Sequence, residues 1–254
     1  MKQKLENLLR WSERYTGTDM IYAAKGGFWL ILGRGVVFAI SFLKMVAFGR
    51  FVPQDVYGTY NFIVAAVGIF AIFSLPGVDT AMIKSVSQKK DGTLLFALKT
   101  KLKYSLIGSA GIFILSLWYF VGQNYELGIS FLIAGAIFPF FYSFTIFSSF
   151  WIGKKRFDIQ NKYEMASSSL IAISVITVLY FTNSIIFIVA AFFISESLFN
   201  GIFLKKTFGL LENKEKDKEA VSFGKSLTIM SAIGTFANQI DKIIIWKFLG
   251  PIQL

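Results

Sequence analysis

Long apolar stretches separated by short polar connectors dominate the pattern of residues along the chain. A membrane-spanning helix needs about 20 consecutive and mostly apolar residues. Stretches that approach this length predict transmembrane helices at roughly residues 26–48, 57–76, 104–122, 128–152, 166–182, 185–204 and 226–246. Residues 1–25 are polar and basic, and we expect them to form a cytoplasmic helix that lies on the membrane surface. The pattern therefore predicts an all-α polytopic membrane protein.

Basic residues are distributed unevenly between the two sets of connectors. Residues 1–25 and the connectors after the second, fourth and sixth spans contain 21 of the 26 Lys and Arg residues. The opposite connectors contain only Arg50 and Lys247. Because Lys and Arg concentrate in cytoplasmic segments, the N-terminus and the basic connectors are predicted to be cytoplasmic. The net charge of +11 then reflects topology and lipid contact, and nucleic acid is not expected as a partner.

The composition excludes several classes of chemistry. The chain contains no His and no Cys, which removes imidazole bases, thiolate nucleophiles, disulfides and most zinc sites. It also has no Walker A motif and no pair of carboxylates in a connector that suggests acid–base catalysis. We therefore expect a protein that is not an enzyme, without catalytic residues or a bound metal. The only expected cofactor is a coupling ion, H⁺ or Na⁺.

A highly charged connector divides the chain into regions. It contains the run ENKEKDKEA, which is typical of a flexible linker. The expected regions are a cytoplasmic segment (1–25), a six-helix lobe (26–204), the linker (205–225) and the first helix of a second lobe (226–254). The first and seventh spans both end in a basic residue followed by Phe, as expected of a repeat. Since the chain stops after this span, it is interpreted as a truncated or partial product.

Two basic residues lie within the first span. Arg34 is about eight residues from its start, roughly 12 Å into the span, and a charge placed there costs on the order of 2.5 kcal/mol or more. Either Arg34 reaches the interface with its long side chain, or it faces a watery cavity that attracts an anion. Lys44 is nearer the outer end, where reaching the interface is favoured. Their spacing also allows both to line adjoining walls of one cavity.

Glu196 lies near the middle of the sixth span, where its short side chain does not reach water. It is expected either to pair with a basic residue of another span or to be protonated. Asn200 is four residues further and shares its face. Two interpretations stay open: a charge pair that holds helices together, or a titratable or sodium-binding site coupled to transport.

The seventh span has a polar stripe on one helical face. The residues recur at spacings of three and four and are flanked by Gln239 and Asp241; they are Thr228, Ser231, Thr235, Asn238 and Lys242. Small hydroxyl residues also join helices in membranes. The Asn, Gln, Asp and Lys residues favour the lining of a cavity instead. Asp241 is expected to neutralise Lys242 or to bind a coupling cation.

Two further residues stand out near the helix ends and bends. Pro139 in the fourth span removes a backbone hydrogen bond and is predicted to kink the helix, which makes it a candidate conformational hinge. Asp79, in LPGVDTA after the second span, is expected to be simply solvated at the cytoplasmic end.

Two segments resemble one family of membrane transporters. The run FGRFVPQDVYGTYNF is similar to the outer turn between the first two spans of polysaccharide biosynthesis flippases, with matches at Arg50, Pro53, Asp55, Tyr57 and Gly58. The run NQIDKIIIWKFLGP resembles their seventh span, with matches at Gln239, Asp241 and Lys242. These proteins are O-antigen-type exporters of lipid-linked oligosaccharides in the multidrug/oligosaccharidyl-lipid/polysaccharide superfamily.

The resemblance implies a two-lobe, MATE-like bundle of about twelve to fourteen helices. This chain would supply the six-helix N-terminal lobe and one helix more. Relatives flip an undecaprenyl-pyrophosphate-linked oligosaccharide, such as an O-antigen, capsule or exopolysaccharide repeat unit, by alternating access through a cationic cavity. The implied location is the bacterial cytoplasmic membrane, and the implied partners are the lipid-linked oligosaccharide, membrane lipids and other polysaccharide-assembly proteins.

Together these expectations assign roles to individual residues. The candidates for substrate binding are Arg34, Lys44, Asn238, Gln239 and Lys242. The candidates for ion coupling are Glu196, Asp241 and Asn200. Three alternative functions remain: a cation-coupled multidrug antiporter of the same superfamily, a membrane-embedded enzyme of a glycan pathway, and an inactive truncated remnant.

Overall fold

The computed structural model describes residues 11, 15 and 20–253, without the side chains of residues 21–23 and 25. The predicted surface helix at residues 1–25 lies largely outside the described residues. Every regular element within them is helical. The α-helices are α1 (Met20–Phe51), α2 (Gln54–Ile69), α3 (Gly77–Ser87), α4 (Thr93–Val121), α5 (Tyr125–Ser143), α6 (Ile146–Gly153), α7 (Phe157–Phe181), α8 (Ile185–Phe208) and α9 (Lys218–Leu249). Two 3₁₀ helices follow α2 and α9, at Phe70–Ser74 and Pro251–Gln253.

Six segments of the described chain are long and apolar enough to cross a membrane. They are Gly26–Phe51, Gln54–Ser74, Thr93–Val121, Tyr125–Gly153, Phe157–Phe181 and Ile185–Phe208. The prediction of an all-α polytopic membrane protein is thus confirmed. Helix α9 forms where the seventh span was predicted, but it is not among the six. Its polar stripe lowers its mean hydropathy below that of the other spans.

Two helical segments lie where the sequence predicted connectors. Helix α4 begins at Thr93, about three turns before the predicted span 104–122, and carries Lys99, Lys101 and Lys103. The segment TLLFALKTKLK consists largely of good helix formers, so it extends the span beyond its apolar part. The short helix α3 is also new. It follows a break at Leu75, whose backbone adopts the left-handed conformation with φ of 57°, immediately before Pro76.

Small residues allow α4 and α5 to approach each other closely. The buried residues Ser105, Gly108, Ser109 and Ser116 form the α4 side of this contact. Two of the serines donate hydrogen bonds to carbonyls of α5, one of them from Ser116 Oγ to the Gly128 oxygen at 2.7 Å. Small side chains and hydroxyl donors are the usual means of joining helices in a membrane, since lipid provides no hydrophobic drive for the contact.

At two other helix contacts, a glycine allows the two helices to approach each other closely. Helix α1 packs on α7, where a Cβ on Gly33 would lie 2.0 Å from Asn161 Oδ1. Helix α9 crosses α3, where a Cβ on Gly77 would lie 2.3 Å from the Gly224 oxygen. The Gly77 N–H there donates to Thr228 Oγ1 at 3.0 Å. These approaches fix α1 and α9 against the bundle, although most of the outward surface of each helix is exposed.

The connectors gather at two opposite ends of the bundle. Turns at 88–92 and 154–156 and the connector 209–217 meet at one end, and the basic connectors are all at this end. The turn at 52–53 and the segment 250–253 meet at the other, where Gln54 Nε2 donates to the Ile252 oxygen at 3.0 Å. The connectors rich in Lys and Arg therefore lie at one end of the bundle, and the connectors with few basic residues lie at the other.

The charged connector is docked onto the bundle, unlike the flexible linker that its composition predicts. Asp91 is fully buried, and its Oδ2 accepts from the Glu212 N–H at 3.1 Å and lies 2.8 Å from Lys154 Nζ. The Asp91 N–H in turn donates to Asn213 Oδ1. Burial lowers the pKa of Lys154, but its bonds to Asp91 and Glu212 outweigh that effect and raise the pKa. These contacts satisfy polar groups that a free linker would leave to water.

Candidate functional site

A small polar cavity lies between α1, α7 and α8. Its volume is about 120 Å³, and it is lined by Lys44 of α1, Glu196 of α8 and the hydroxyl-bearing residues Ser41 and Ser168. Lys44 Nζ also lies 5.4 Å from the centre of the Phe192 ring. Two opposite charges from different spans thus share one cavity. A charge pair of this kind compensates in part for the removal of both groups from water.

Arg34 lies outside this cavity. Its side chain is exposed on α1, and it forms no ion pair with any residue that the structure describes. The neighbouring Gly33 faces α7 and packs against Asn161, so Arg34 projects from the bundle rather than into it. The two basic residues of the first span therefore differ in their surroundings: Lys44 has an acidic neighbour, and Arg34 is available to an external anion.

Asn200 has a different environment from Glu196, although both lie on α8. Its side chain is buried, and its Oδ1 accepts a hydrogen bond from Ser167 Oγ of α7 at 2.9 Å. Asn200 is not among the residues that line the cavity of Lys44 and Glu196. Asn200 thus forms a hydrogen bond that joins α7 to α8. Glu196 instead shares a cavity with Lys44.

Some residues of the polar stripe of α9 contact other helices, and the remaining residues are exposed. Thr228 is buried and accepts from the backbone of α3, whereas Asn238, Asp241 and Lys242 are exposed. Gln239 packs against α2, where its side chain lies 3.1 Å from a Cβ built on Gly68. The Asp241 carboxylate accepts from the Lys242 N–H at 2.8 Å. The exposed members are free to face a ligand beside α9.

Pro139 lies within α5, and the interruption of the fourth span follows it. Helix α5 ends at Ser143, and α6 begins at Ile146. Since proline has no N–H, the carbonyl of Gly135, four residues earlier, lacks its partner within the helix. The hydroxyl of Ser109 on α4 donates to this carbonyl. A neighbouring helix thus satisfies the group that the proline leaves free, as membrane helices with internal prolines require.

Replacing Ser109 with Ala is expected to destabilise the bundle by about 1 kcal/mol, because the Gly135 carbonyl would lose its donor. The measurement is the free energy of unfolding in mixed micelles, titrated with SDS. Thr100→Ala is the matched control on α4, because the Thr100 hydroxyl donates to the Phe96 carbonyl of its own helix. Equal stability of the Ser109 and Thr100 variants would contradict the role of Ser109.

Sequence reasoning missed two buried ion pairs, the pair of Asp91 with Lys154 described above and a second pair at the start of α4. Lys101 of α4 is 1% exposed, and its Nζ lies 2.6 Å from Asp79 Oδ2 in the first turn of α3. The expectation that Asp79 is simply solvated is therefore wrong. The partners are 22 positions apart on different helices, and the sequence has no signal that joins them.

Comparison with known proteins adds the family. A family model described as polysaccharide biosynthesis protein matches residues 23–253. The chain belongs to the polysaccharide biosynthesis protein family. The resemblance stated from the sequence is thereby confirmed. Membership, together with the six apolar helices, gives a multi-pass membrane protein with a role in polysaccharide synthesis or export. No curated protein and no solved structure matches the chain.

Proposed function

We propose that this family member flips an undecaprenyl-pyrophosphate-linked oligosaccharide across the bacterial cytoplasmic membrane by alternating access. The observation that carries the proposal is the position of Arg34, exposed on the apolar helix α1 without an ion pair among the described residues. A guanidinium in this position is costly unless an anion or water compensates it. A pyrophosphate head group is such an anion, and Arg binds phosphate oxygens through two parallel hydrogen bonds.

The other candidate substrate residues support this role to different degrees. Asn238 and Lys242 are exposed on α9 and offer a donor and a positive charge to a polar ligand, with Gln239 next to them. Lys44 shares its cavity with Glu196, and the acidic neighbour weakens its attraction for an anion. We therefore assign anion binding first to Arg34, and we assign Lys44 to Glu196 as its counter-charge.

The proposed orientation places the basic end of the bundle in the cytoplasm. The end that contains the docked connector holds the basic connectors, as the positive-inside rule requires. The lipid-linked oligosaccharide would enter from this side and leave at the end with few basic residues. As further partners of the protein we propose the proteins that assemble the polysaccharide on either side of the membrane.

The test is replacement of Arg34 in cells that depend on this protein for their surface polysaccharide. Arg34→Ala is expected to lower export about 10- to 100-fold, because it removes a charge-assisted hydrogen bond to phosphate. Arg34→Lys should restore part of the activity, since it keeps the charge and loses the paired geometry. The readouts are surface polysaccharide, lipid-linked glycan left in the inner leaflet, and protein abundance.

Arg50→Ala is the control, because Arg50 is the other exposed Arg of α1 and lies in its last turn. Full export by the Arg34→Ala variant would remove Arg34 from the mechanism and leave the proposal with family membership alone.

A cation-coupled multidrug antiporter is the second candidate, and Glu196 is the observation that favours it. An acidic residue within a span is typical of a site for a coupling ion. In that case Glu196→Gln would abolish drug efflux driven by an ion gradient, and Arg34→Ala would have no effect on surface polysaccharide.

A further inference from the structure

A row of polar side chains follows one face of α7, from the basic end of the bundle toward the cavity of Lys44 and Glu196. The row consists of Gln160, Glu164 and Ser168, which succeed each other at a spacing of four residues and therefore share a helical face. Ser168 lines the cavity, and Glu164 lies one turn nearer to the start of the helix. The row thus places a second acidic side chain one helical turn from the cavity wall.

Glu164 is held by hydrogen bonds and not by an opposite charge. Its Oε1 accepts from Ser148 Oγ of α6 at 2.9 Å, and Ser148 Oγ accepts from Gln160 Nε2 at 3.2 Å. Gln160 is buried, whereas Glu164 is partly exposed. Glu164 forms no ion pair with any residue that the structure describes. Acidic residues within a membrane span are costly, and they mark the routes of protons in pumps and transporters.

The helices packed against α7 are α1, α6 and α8. Helix α6 has no charged residue. Among the side chains that the structure describes, the charged ones of α1 and α8 either line the cavity, as Lys44 and Glu196 do, or are exposed. The exposed ones are Arg34, Arg50, Lys205 and Lys206. The other titratable side chains of α7 have contacts of their own; they are Asp158, Lys162, Tyr163 and Tyr180. The next charged groups along the row from Glu164 are therefore those of the cavity.

We infer that Glu164 passes protons between Glu196 and the basic end of the bundle, so that the coupling ion is H⁺. The cavity of about 120 Å³ has room for several water molecules. A water at the Ser168 hydroxyl bridges the single helical turn of about 6 Å that separates Ser168 from Glu164. A proton on the Glu196 carboxyl moves to this water, and the water gives a proton to the Glu164 carboxylate. Glu164 later releases that proton to water at the basic end, and Glu196 is left as a carboxylate beside Lys44.

This role rests on the proposed transport function, and it adds the residue that connects the candidate coupling site to the cytoplasmic end. It differs from a purely structural role, in which Glu164 would only join α7 to α6 through Ser148. Glutamine at position 164 keeps an oxygen that accepts from Ser148, but it does not bind a proton. The two roles therefore predict different results for Glu164→Gln.

The experiment places the full chain in liposomes with a pH-sensitive dye inside. The probe is the lipid-linked oligosaccharide extracted from cells that make the polysaccharide. After a pH gradient is imposed, Glu164→Gln is expected to slow proton movement about 100-fold, the effect of losing a positioned proton carrier. Glu164→Asp should restore part of the rate, since it keeps the carboxyl group. A purely structural role predicts a normal rate for Glu164→Gln.

Glu126→Gln is the matched control, because Glu126 is an exposed carboxylate in the first turn of α5, at the opposite end of the bundle. Gel filtration checks that each variant is intact. Flipping of the oligosaccharide is read in the same vesicles from its accessibility to an added lectin. Flipping without proton movement, a normal proton rate in Glu164→Gln, or equal slowing by Glu126→Gln would overturn the role of Glu164 and leave the proposed function standing. The absence of flipping by the unaltered chain would overturn both.

Discussion

Asp79→Asn is expected to destabilise the protein by about 3 kcal/mol, the largest effect on stability that we predict for a single side chain. The substitution leaves Lys101 almost completely buried and without its partner. Removal of one member of a buried ion pair is far more harmful than removal of both, because the remaining charge is desolvated and unpaired. The value is placed at the low end of the range for such pairs, since Asp79 is 29% exposed. SDS-induced unfolding in mixed micelles measures the change.

The double variant Asp79→Asn with Lys101→Met provides the decisive comparison. It removes both charges and keeps an apolar side chain of similar length in the site of Lys101. We expect it to recover most of the stability lost in the single variant, in the manner of other buried pairs replaced by apolar residues. If the double variant were as unstable as Asp79→Asn alone, the Asn itself, and not the unpaired Lys101, would be the cause.

The ion pair between Asp79 and Lys101 also shows what the sequence could and could not predict. Hydropathy is a property of each residue, so the apolar stretches alone located all six membrane-spanning segments. The same argument failed at the start of α4, where Lys99, Lys101 and Lys103 interrupt the apolar pattern but not the helix. Burial of Lys101 depends on an acidic residue from another helix, and no property of the local sequence contains that information.

The two candidate residues on α8 illustrate the same limit. Their spacing of four residues correctly indicates neighbouring positions on a helix. However, Asn200 contacts Ser167 and Glu196 faces Lys44 across a cavity. Side chains one turn apart meet different partners, because Asn200 contacts α7 directly whereas Glu196 meets Lys44 of α1 across a cavity. The connector after α8 follows the same logic: its charges predicted flexibility, whereas Asp91 and Lys154 hold it in place.

Glu196→Gln is expected to abolish export without lowering the abundance of the protein, if Glu196 couples ion entry to transport. Glutamine keeps the size and hydrogen-bonding capacity of the side chain, but it neither binds a proton nor carries a charge. Its effect on export therefore reports on the charge of Glu196 rather than on its packing. Transport assays in vesicles with an imposed H⁺ or Na⁺ gradient would show which ion is involved. Ser174→Ala is a control on α7, since the Ser174 hydroxyl donates to the Leu170 carbonyl of its own helix.

Substitution of Lys44 provides a further test of this prediction, because Lys44 carries the opposite charge in the cavity of Glu196. Lys44→Met leaves Glu196 without a positive neighbour, and we expect it to reduce both stability and export. If the two charges act as a pair, the double variant will be less destabilised than the sum of the single variants, with a coupling energy of about 2 kcal/mol. A pair that only joins α1 to α8 predicts lower abundance but normal export per molecule in every variant. A coupling site predicts that Glu196→Gln is inactive both alone and in combination with Lys44→Met, since charge balance can be repaired by removing both groups and ion binding cannot.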